Sequence, residues 1–214
     1  MPEGRLRLYI VRHGQTIWNE EGRMQGHTDV PLDAEGHRQA ECIAARLAAL
    51  PQPLQAVWSS DLQRARVTAE AIARRFNLPV QATPLLRETM LGDWEGLTRA
   101  EIVARGDKAL LEAYDRDSFH NRPPNSEPLS HVWQRMLQVL QSIRAAFPSG
   151  GQVAVVGHGS SLRVLLCNAL KAPMESMPRI WVDNASLSLI EEEPREPEPF
   201  ARLLLLNDTS HLAR

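Results

Sequence analysis

Short apolar runs alternate with amphipathic stretches along this chain. The apolar runs have the length of buried strands, and the stretches between them repeat apolar positions at helical spacing. Predicted strands cover 6–11, 56–59, a short run near Val80 and 152–157; predicted helices cover 36–50, 61–76, 127–147 and 160–170. Strand–helix alternation of this kind predicts a mainly parallel sheet with helices on both faces.

Two stretches depart from this alternation. Residues 186–191 and 201–206 form a predicted hairpin, joined by the proline-rich loop 193–199, which makes one edge of the sheet antiparallel. The pattern loosens at about 85–128, and we interpret this segment as an insertion that forms a lid or a substrate-pocket wall. The prediction is an α/β three-layer sandwich in a single domain, 1–214.

Composition limits the classes of partner. The chain has 214 residues, 43% of them hydrophobic and 23% charged, and its net charge is -2. This balance argues against a nucleic-acid or membrane-surface partner, so any anion site must be a local cluster. Without a signal-length apolar core near the start, we expect a cytoplasmic protein. Cys42 and Cys167 are expected to be buried free thiols.

Polar side chains follow the first and the last parallel strand. Arg12-His13-Gly14 ends the first strand, and His158-Gly159 ends the strand 152–157. Since ligands bind at the carboxyl ends of strands in open α/β sheets, we expect both histidines in one crevice. The amides that open the following helix, at Gly159 and Ser160, could bind anionic oxygen.

Two further strand ends contribute charge. Ser59-Ser60 precedes a helix that carries Arg64 in its first turn, and an arginine fork suits phosphate. Arg66 points elsewhere and is interpreted as a surface charge. Glu88 follows another predicted strand end and is expected to reach the same crevice.

These blocks together resemble the histidine phosphatase superfamily, which includes cofactor-dependent phosphoglycerate mutases. They occur in the family's order between residues 6 and 159 and imply a phosphoglycerate mutase-like fold. The resemblance implies that His13 is the nucleophile, that Arg12, Arg64 and His158 hold the transferred phosphoryl group, and that Glu88 is the general acid. The phosphate-binding residues predicted beside them are Gly14, Gln15, Thr16, Asn19, Gln25, Gly26 and Gly159.

The resemblance also separates phosphatase from mutase. Mutases of the family carry a tyrosine three residues after the acid and a paired arginine further on, where this chain has Leu91 and Asp115-Arg116. Arg99 occupies the position of the lysine in the mutase pattern. The stretch 92–98 resembles the phosphatase branch. We therefore predict a phosphoric monoester hydrolase acting on a small phosphorylated metabolite.

Other expectations follow from the same comparison of residues. A cofactor-dependent phosphoglycerate mutase and a non-catalytic phospho-ligand-binding module remain alternatives. Neither a metal nor another cofactor is expected, because the other histidines lack the spacing of metal ligands. These histidines are His27, His37, His120, His131 and His211.

Ser126 is expected to cap the helix at 127–147, with Pro128 in an early helical position. Exposed hairpin edges permit a homodimer.

Overall fold

A six-stranded mixed sheet forms the centre of the computed structural model, which describes residues 4–213. The terminal residues 1–3 and 214 of the predicted domain lie outside the described residues. The strand order is β3-β2-β4-β1-β5-β6. The strands are β1 Leu6–Arg12, β2 Ala56–Ser60, β3 Val80–Thr83, β4 Gly151–Gly157, β5 Leu187–Glu193 and β6 Phe200–Asp208. Strands β1 to β4 pair in parallel, whereas β5 and β6 pair antiparallel. The predicted antiparallel edge is confirmed.

Helices cover both faces of this sheet. They are α1 Ile17–Glu20, α2 Ala34–Ala48, α3 Gln63–Phe76, α4 Arg99–Ala104, α5 Lys108–Arg116, α6 Leu129–Ala146 and α7 Gly159–Leu170. Alternate residues of a strand point to opposite faces. In β1, Leu8 and Ile10 therefore pack with α6 and α7, while Tyr9 and Val11 pack with α2 and α3. The three-layer α/β sandwich is confirmed.

The register of β1 and β4 brings the two strand-end histidines together. Arg12 pairs with Gly157 in this register. The amide of the next residue, His13, donates to the Gly157 carbonyl at 3.0 Å. His13 and His158 therefore leave adjacent strands at the same sheet edge.

Three predicted helix starts are wrong by two residues. Helix α2 begins at Ala34 rather than 36. Helix α3 begins at Gln63 rather than Asp61, with extended Leu62 as its N-cap, and the Asp61 carboxylate pairs with Arg87 at 2.6 Å. Helix α6 begins at Leu129 rather than 127, with extended Pro128 as its N-cap.

The expected cap of α6 is also wrong. Pro128 therefore precedes the first turn of this helix, and no side chain caps it. The hydroxyl of Ser126 is buried without a hydrogen-bond partner among the described residues. By contrast, Asp33 caps α2, accepting from the Gly36 amide at 2.7 Å.

The segment predicted as an insertion has its own small apolar cluster. Trp94, Ile102 and Leu111 are its buried members. Gly92 joins the two ends of this segment: its φ is +54°, and a Cβ there would lie 2.2 Å from the carbonyl oxygen of Pro124. Glycine is required at this position because any side chain would separate the two chain segments.

Both cysteines are free thiols. Cys167 is buried, but Cys42 is only half-buried, contrary to expectation.

Across residues 4–213, every helix is too short or too polar to cross a lipid bilayer.

Candidate active site

A cavity of about 420 Å³ opens at the carboxyl edge of the sheet. Four of the five predicted catalytic residues line it, namely Arg12, His13, Arg64 and Glu88. Four of the predicted phosphate-binding residues do so as well, namely Asn19, Gln25, Gly26 and Gly159. The fifth predicted catalytic residue, His158, is fully buried beside this group, with its ring centroid 5.1 Å from that of His13.

His13 is held as a neutral imidazole with one free nitrogen. Its Nδ1 lies 2.7 Å from the Gly14 carbonyl oxygen, which can only accept, so Nδ1 carries the proton. The other nitrogen, Nε2, therefore keeps its lone pair. Burial lowers the pKa of His13 well below its ordinary value, and the charges of Arg64 and Arg12 lower it further. The neutral form is the nucleophilic one.

His158 has the opposite tautomer. Arg64 donates from Nε to Nδ1 of His158 at 3.2 Å, so the His158 proton is on Nε2. Burial lowers the pKa of His158 well below its ordinary value, and the nearby Arg64 is the next cause. The buried Nε2 lacks a hydrogen-bond partner among the described residues. His158 therefore offers one unpaired N–H donor.

Arg64 is fixed in place by three acceptors. Besides His158, its guanidinium donates to the carbonyl oxygens of Thr28 and Gly26, both at 2.8 Å. Burial lowers the pKa of Arg64 to about 10, so the side chain is still charged at neutral pH. Gly26 must be glycine here, because its φ is +52° and a Cβ would lie 2.0 Å from Oε1 of Glu95.

Arg12 supplies a second, half-buried cation. Its Nη1 donates to the Val182 carbonyl at 2.9 Å, while its Nε is buried without a partner in residues 4–213. Burial lowers the pKa of Arg12, and the charge of Glu88 opposes that effect. An unpaired buried N–H costs free energy, whereas an anion that accepts from a cation forms a strong hydrogen bond. The unpaired donors of Arg12 and His158 therefore favour an oxyanion in this cavity.

Glu88 is oriented by main-chain donors. One oxygen accepts from the amides of Thr89 at 2.8 Å and Ser161 at 2.9 Å, and the other accepts from Ser160 at 3.0 Å. The Ser160 amide, which we expected to bind the anion, is thus bonded to Glu88 instead. His27 lies partly buried and donates from Nε2 to the Glu88 carbonyl at 2.7 Å, so it also supports this residue.

Three predicted phosphate-binding residues lie outside the cavity wall, and their contacts position the loop after β1. The Gly14 amide donates to Oγ1 of Thr68 at 3.1 Å. The Gln15 amide donates to the side chain of Gln39 at 2.9 Å. Thr16 is fully buried as the N-cap of α1. The structure thus places all three around the site rather than at it.

Arg135 is a positioning residue that the sequence analysis missed. From the middle of α6 it donates to the carbonyl oxygens of Leu85 at 2.7 Å, Arg87 at 2.6 Å and Glu88 at 3.0 Å. Two bonds to the carboxylate of Glu127, each 2.8 Å, hold its guanidinium. Nothing in the local pattern distinguishes this arginine from other helical arginines, because its carbonyl acceptors lie 47 to 50 residues away.

Asn184 was missed for the same reason. It donates from Nδ2 to the His13 carbonyl at 3.1 Å and to Oδ1 of Asn19 at 3.2 Å. It therefore joins the loop after β1 to the segment before β5. The separation of 171 residues from His13 leaves no local signal in the sequence.

The positions that separate mutase from phosphatase are occupied by apolar and acidic groups. Leu91 and Asp115 line the cavity, and the Asp115 carboxylate pairs with Arg99. Arg116 is exposed and lies outside the cavity wall. Within residues 4–213, no cluster of three or more His, Cys, Asp or Glu side chains is placed to hold a metal ion.

Comparison with known proteins points to a single family. The model of the histidine phosphatase superfamily (branch 1) matches residues 8–208. A probable phosphoglycerate mutase from Serratia proteamaculans is 33% identical over 188 residues, which cover 88% of this chain and 86% of that protein. A glucosyl-3-phosphoglycerate phosphatase from Mycolicibacterium vanbaalenii is 36% identical over 201 residues, covering 88% of each.

Solved structures agree with the fold. A mycobacterial glucosyl-3-phosphoglycerate phosphatase in complex with VO3 superimposes with a TM-score of 0.87 at 33% identity, covering 95% of this chain and 100% of that chain. A putative α-ribazole-5′-phosphate phosphatase from Escherichia coli superimposes with a TM-score of 0.83 at 30% identity, covering 95% and 96%. Both are named as phosphatases, whereas the Serratia relative is named as a probable mutase.

Proposed function

This chain belongs to branch 1 of the histidine phosphatase superfamily and is an enzyme of the phosphoric monoester hydrolase class; from this premise we propose that it hydrolyses a small phosphorylated metabolite, without a metal, through a phosphohistidine intermediate. The observation that carries the proposal is the tautomer of His13. Its Nδ1 proton is bonded to Gly14, so Nε2 is free to attack phosphorus.

In the first step, the lone pair of His13 Nε2 forms a bond to phosphorus as the ester P–O bond breaks. The electron pair of that bond goes to the leaving oxygen, which takes a proton from Glu88. In the second step, Glu88 accepts a proton from water as the water oxygen displaces His13. Glu88 lines the cavity and is oriented by the Ser160 and Ser161 amides, which supports this assignment.

Charge on the transferred phosphoryl group is stabilised by fixed donors. Arg12 and Arg64 are charged, and His158 contributes the unpaired Nε2–H. Catalysis of phosphoryl transfer is mostly positioning and electrostatic stabilisation, so pre-oriented donors reduce the reorganisation needed during reaction. Asn19 and Gln25 line the same part of the cavity and are proposed to bind the phosphate oxygens.

Hydrolysis is preferred over mutase activity because of the charge around the cavity. A mutase has to hold a second anionic group of its substrate, which requires extra cations. Here Asp115 occupies one position of the paired mutase arginine, stands at the cavity wall and pairs with Arg99. Arg23 and Arg163 also line the cavity, and Arg23 is paired with Glu21 and Glu101. The alternative is supported by the relatives named as probable phosphoglycerate mutases. Addition of 3-phosphoglycerate with 2,3-bisphosphoglycerate decides between them: isomerisation faster than phosphate release identifies a mutase.

The test of the proposed function is a phosphatase assay in the presence of a chelator. We expect the protein to hydrolyse p-nitrophenyl phosphate and His13→Ala to reduce turnover by at least about 10³-fold. Acid-labile phosphate should be trapped on the wild-type protein after rapid quenching and be absent from the variant. Inactivity over the whole pH range would favour the non-catalytic binding module, and full activity of His13→Ala would exclude the proposed nucleophile.

The segment 85–128 is proposed to be the wall that shapes the substrate pocket. Leu91, Tyr114 and Ser118 in the cavity lining support this proposal.

A cytoplasmic location is also proposed. It is supported by the two free thiols, since reducing compartments keep cysteines unpaired.

A homodimer through β6 is also proposed. Strand β6 is an edge of the sheet, and Leu203, Leu204 and Leu206 on it are 38%, 48% and 41% exposed. Antiparallel pairing of two such edges is self-complementary, as a two-fold interface requires. Sedimentation of the wild type as a dimer and of Leu204→Lys as a monomer is the expected result. Val103→Lys, at an exposed apolar residue elsewhere, is the control.

A further inference from the structure

The cavity extends beyond the groups that hold the phosphoryl. Its floor is formed by His13, Arg12 and Arg64, and further walls come from two other segments. One contributes Tyr114, Asp115 and Ser118, and the other contributes Pro178, Trp181 and Val182. A volume of about 420 Å³ falls within the usual range for organic ligands of moderate size. The alcohol part of the substrate therefore has a site of its own.

Trp181 is a highly exposed aromatic residue in this wall. Its side chain is 64% exposed, the largest value among the exposed large hydrophobic residues of the described chain. Its only polar atom is satisfied, because Nε1 donates to Oδ1 of Asp183 at 2.8 Å. The other Asp183 oxygen accepts from Asn207 at 2.8 Å. The indole ring thus has a fixed orientation, although most of its surface remains uncovered.

The main chain beside Trp181 is tied to the phosphoryl site. The residue after Trp181 is Val182, whose carbonyl accepts from Nη1 of Arg12 at 2.9 Å. Trp181, Val182 and Arg12 line the same cavity as His13. A ligand whose phosphoryl group is bound at His13 and Arg12 therefore shares its cavity with the indole ring.

The groups that share this part of the cavity select the kind of alcohol. Asp115, Ser118 and Arg163 line it with acceptor and donor atoms. Arg163 is held by bonds to the Gly159 carbonyl and the Ser160 hydroxyl, both at 3.1 Å. A purely apolar alcohol would displace water from these polar groups without replacing its hydrogen bonds, which disfavours such a substrate. A sugar ring has an apolar C–H face for the indole and hydroxyl groups at its edge for the polar wall.

We propose that Trp181 is the platform on which the alcohol part of the substrate stacks, and that this part carries a hydroxylated sugar ring. The proposal rests on the proposed phosphomonoesterase function and names the substrate class of the same site. It makes Trp181 a specificity-determining residue, which acts on substrate binding rather than on the bond-breaking step.

The first test compares four substrates that share the phosphate and differ in the alcohol. These are 3-phosphoglycerate without a ring, glucose 6-phosphate, glucosyl-3-phosphoglycerate, and phenyl phosphate, whose ring is aromatic and carries no hydroxyl group. We expect Trp181→Ala to raise KM for the two sugar substrates about tenfold relative to 3-phosphoglycerate, with kcat little changed. Trp181→Phe should restore most of the loss, since it keeps an aromatic face. Phe200→Ala, at an exposed aromatic residue outside the cavity, is the control.

The outcomes separate the two proposals. Equal effects of Trp181→Ala on the sugar substrates and on 3-phosphoglycerate would overturn the platform, and an effect on phenyl phosphate alone would overturn the sugar class. Hydrolysis of none of the four substrates, nor of p-nitrophenyl phosphate, would overturn the phosphomonoesterase function instead.

A binding measurement tests the platform without turnover. In the His13→Ala variant, titration with glucose 6-phosphate should change the fluorescence of Trp181, and inorganic phosphate should change it much less. The same titration of His13→Ala/Trp181→Phe should lose this difference. Equal responses to the two ligands, or a response that persists without Trp181, would overturn the inference.

Discussion

Arg64 donates from Nε to Nδ1 of His158 at 3.2 Å, and this bond determines which nitrogen of His158 carries the proton. Because the guanidinium can only donate, Nδ1 must accept and Nε2 must carry the proton. The bond to Gly14 imposes the opposite tautomer on His13. In the proposed reaction, His13 can therefore attack phosphorus through Nε2, and His158 can donate a hydrogen bond from Nε2.

Replacement of Arg64 tests this arrangement. A lysine is a single ammonium and cannot reproduce the planar fork that contacts His158, Thr28 and Gly26. We expect Arg64→Lys to lower kcat/KM for p-nitrophenyl phosphate by about 10²–10³-fold. Arg66→Lys is the matched control, since Arg66 is exposed and pairs with Glu70 on the same helix. A loss below fivefold in Arg64→Lys would contradict the role.

Replacement of Glu88 separates the two half-reactions. Nitrophenolate leaves without a proton, whereas an alkyl oxygen needs one, so Glu88→Gln should reduce hydrolysis of an alkyl phosphate by about 10²–10⁴-fold. With p-nitrophenyl phosphate, a burst of nitrophenol should be retained while the following turnover slows. Rapid-mixing kinetics measure both phases. Glu175→Gln, at an exposed carboxylate, is the control, and equal losses for both substrates without a burst would contradict the assignment.

Arg135 is expected to act through the position of Glu88. Arg135→Met removes the three carbonyl contacts and leaves the half-buried carboxylate of Glu127 with the Met90 amide but without its cation, which should cost about 1.5–3 kcal/mol in the free energy of unfolding. The double variant Arg135→Met/Glu127→Gln should recover part of that stability, because it removes the unpaired charge.

Activity distinguishes positioning from simple destabilisation. At a temperature where both variants are folded, kcat for alkyl phosphates should stay low in the double variant, since the backbone of Glu88 is still unclamped. Urea unfolding and steady-state kinetics measure the two effects. Recovery of kcat together with stability would mean that Arg135 only stabilises the fold.

The buried histidines predict a pH dependence of stability. Burial lowers the folded-state pKa of His13 and His158, whereas the unfolded chain titrates near its ordinary value of about 6.5. The stabilisation is complete above about pH 6.5. It declines as the pH falls toward the folded-state pKa values, because only the unfolded chain then takes up protons.

Each of these histidines should contribute a loss of up to about 1.4 kcal/mol per pH unit in that window. Urea unfolding at pH 7.5, 6.5 and 5.5 measures the free energy directly. His158→Gln should reduce the slope, and His37→Gln, at an exposed histidine, should leave it unchanged. A slope that does not differ between wild type and His158→Gln would contradict the prediction.

Several features of the site follow from local patterns. The apolar runs before His13 and His158 predict parallel strands, and the carboxyl ends of parallel strands meet at one edge. Arg64 could be placed because a strand ending in serines is followed by the first turn of a helix. Such features depend on neighbouring residues, so the sequence alone determined the fold class, the central residue pair and the family.

The tertiary structure decided what lies beyond those strands. The loop residues Gly14, Gln15 and Thr16 hold the site from outside, and the Ser160 amide binds Glu88 rather than the anion. Trp181 reaches the cavity only through its place beside Arg12. Histidine tautomers, amide hydrogen-bond partners and exposed side-chain faces depend on atoms that come together from distant parts of the chain. The periodic pattern of apolar residues does not specify these long-range contacts.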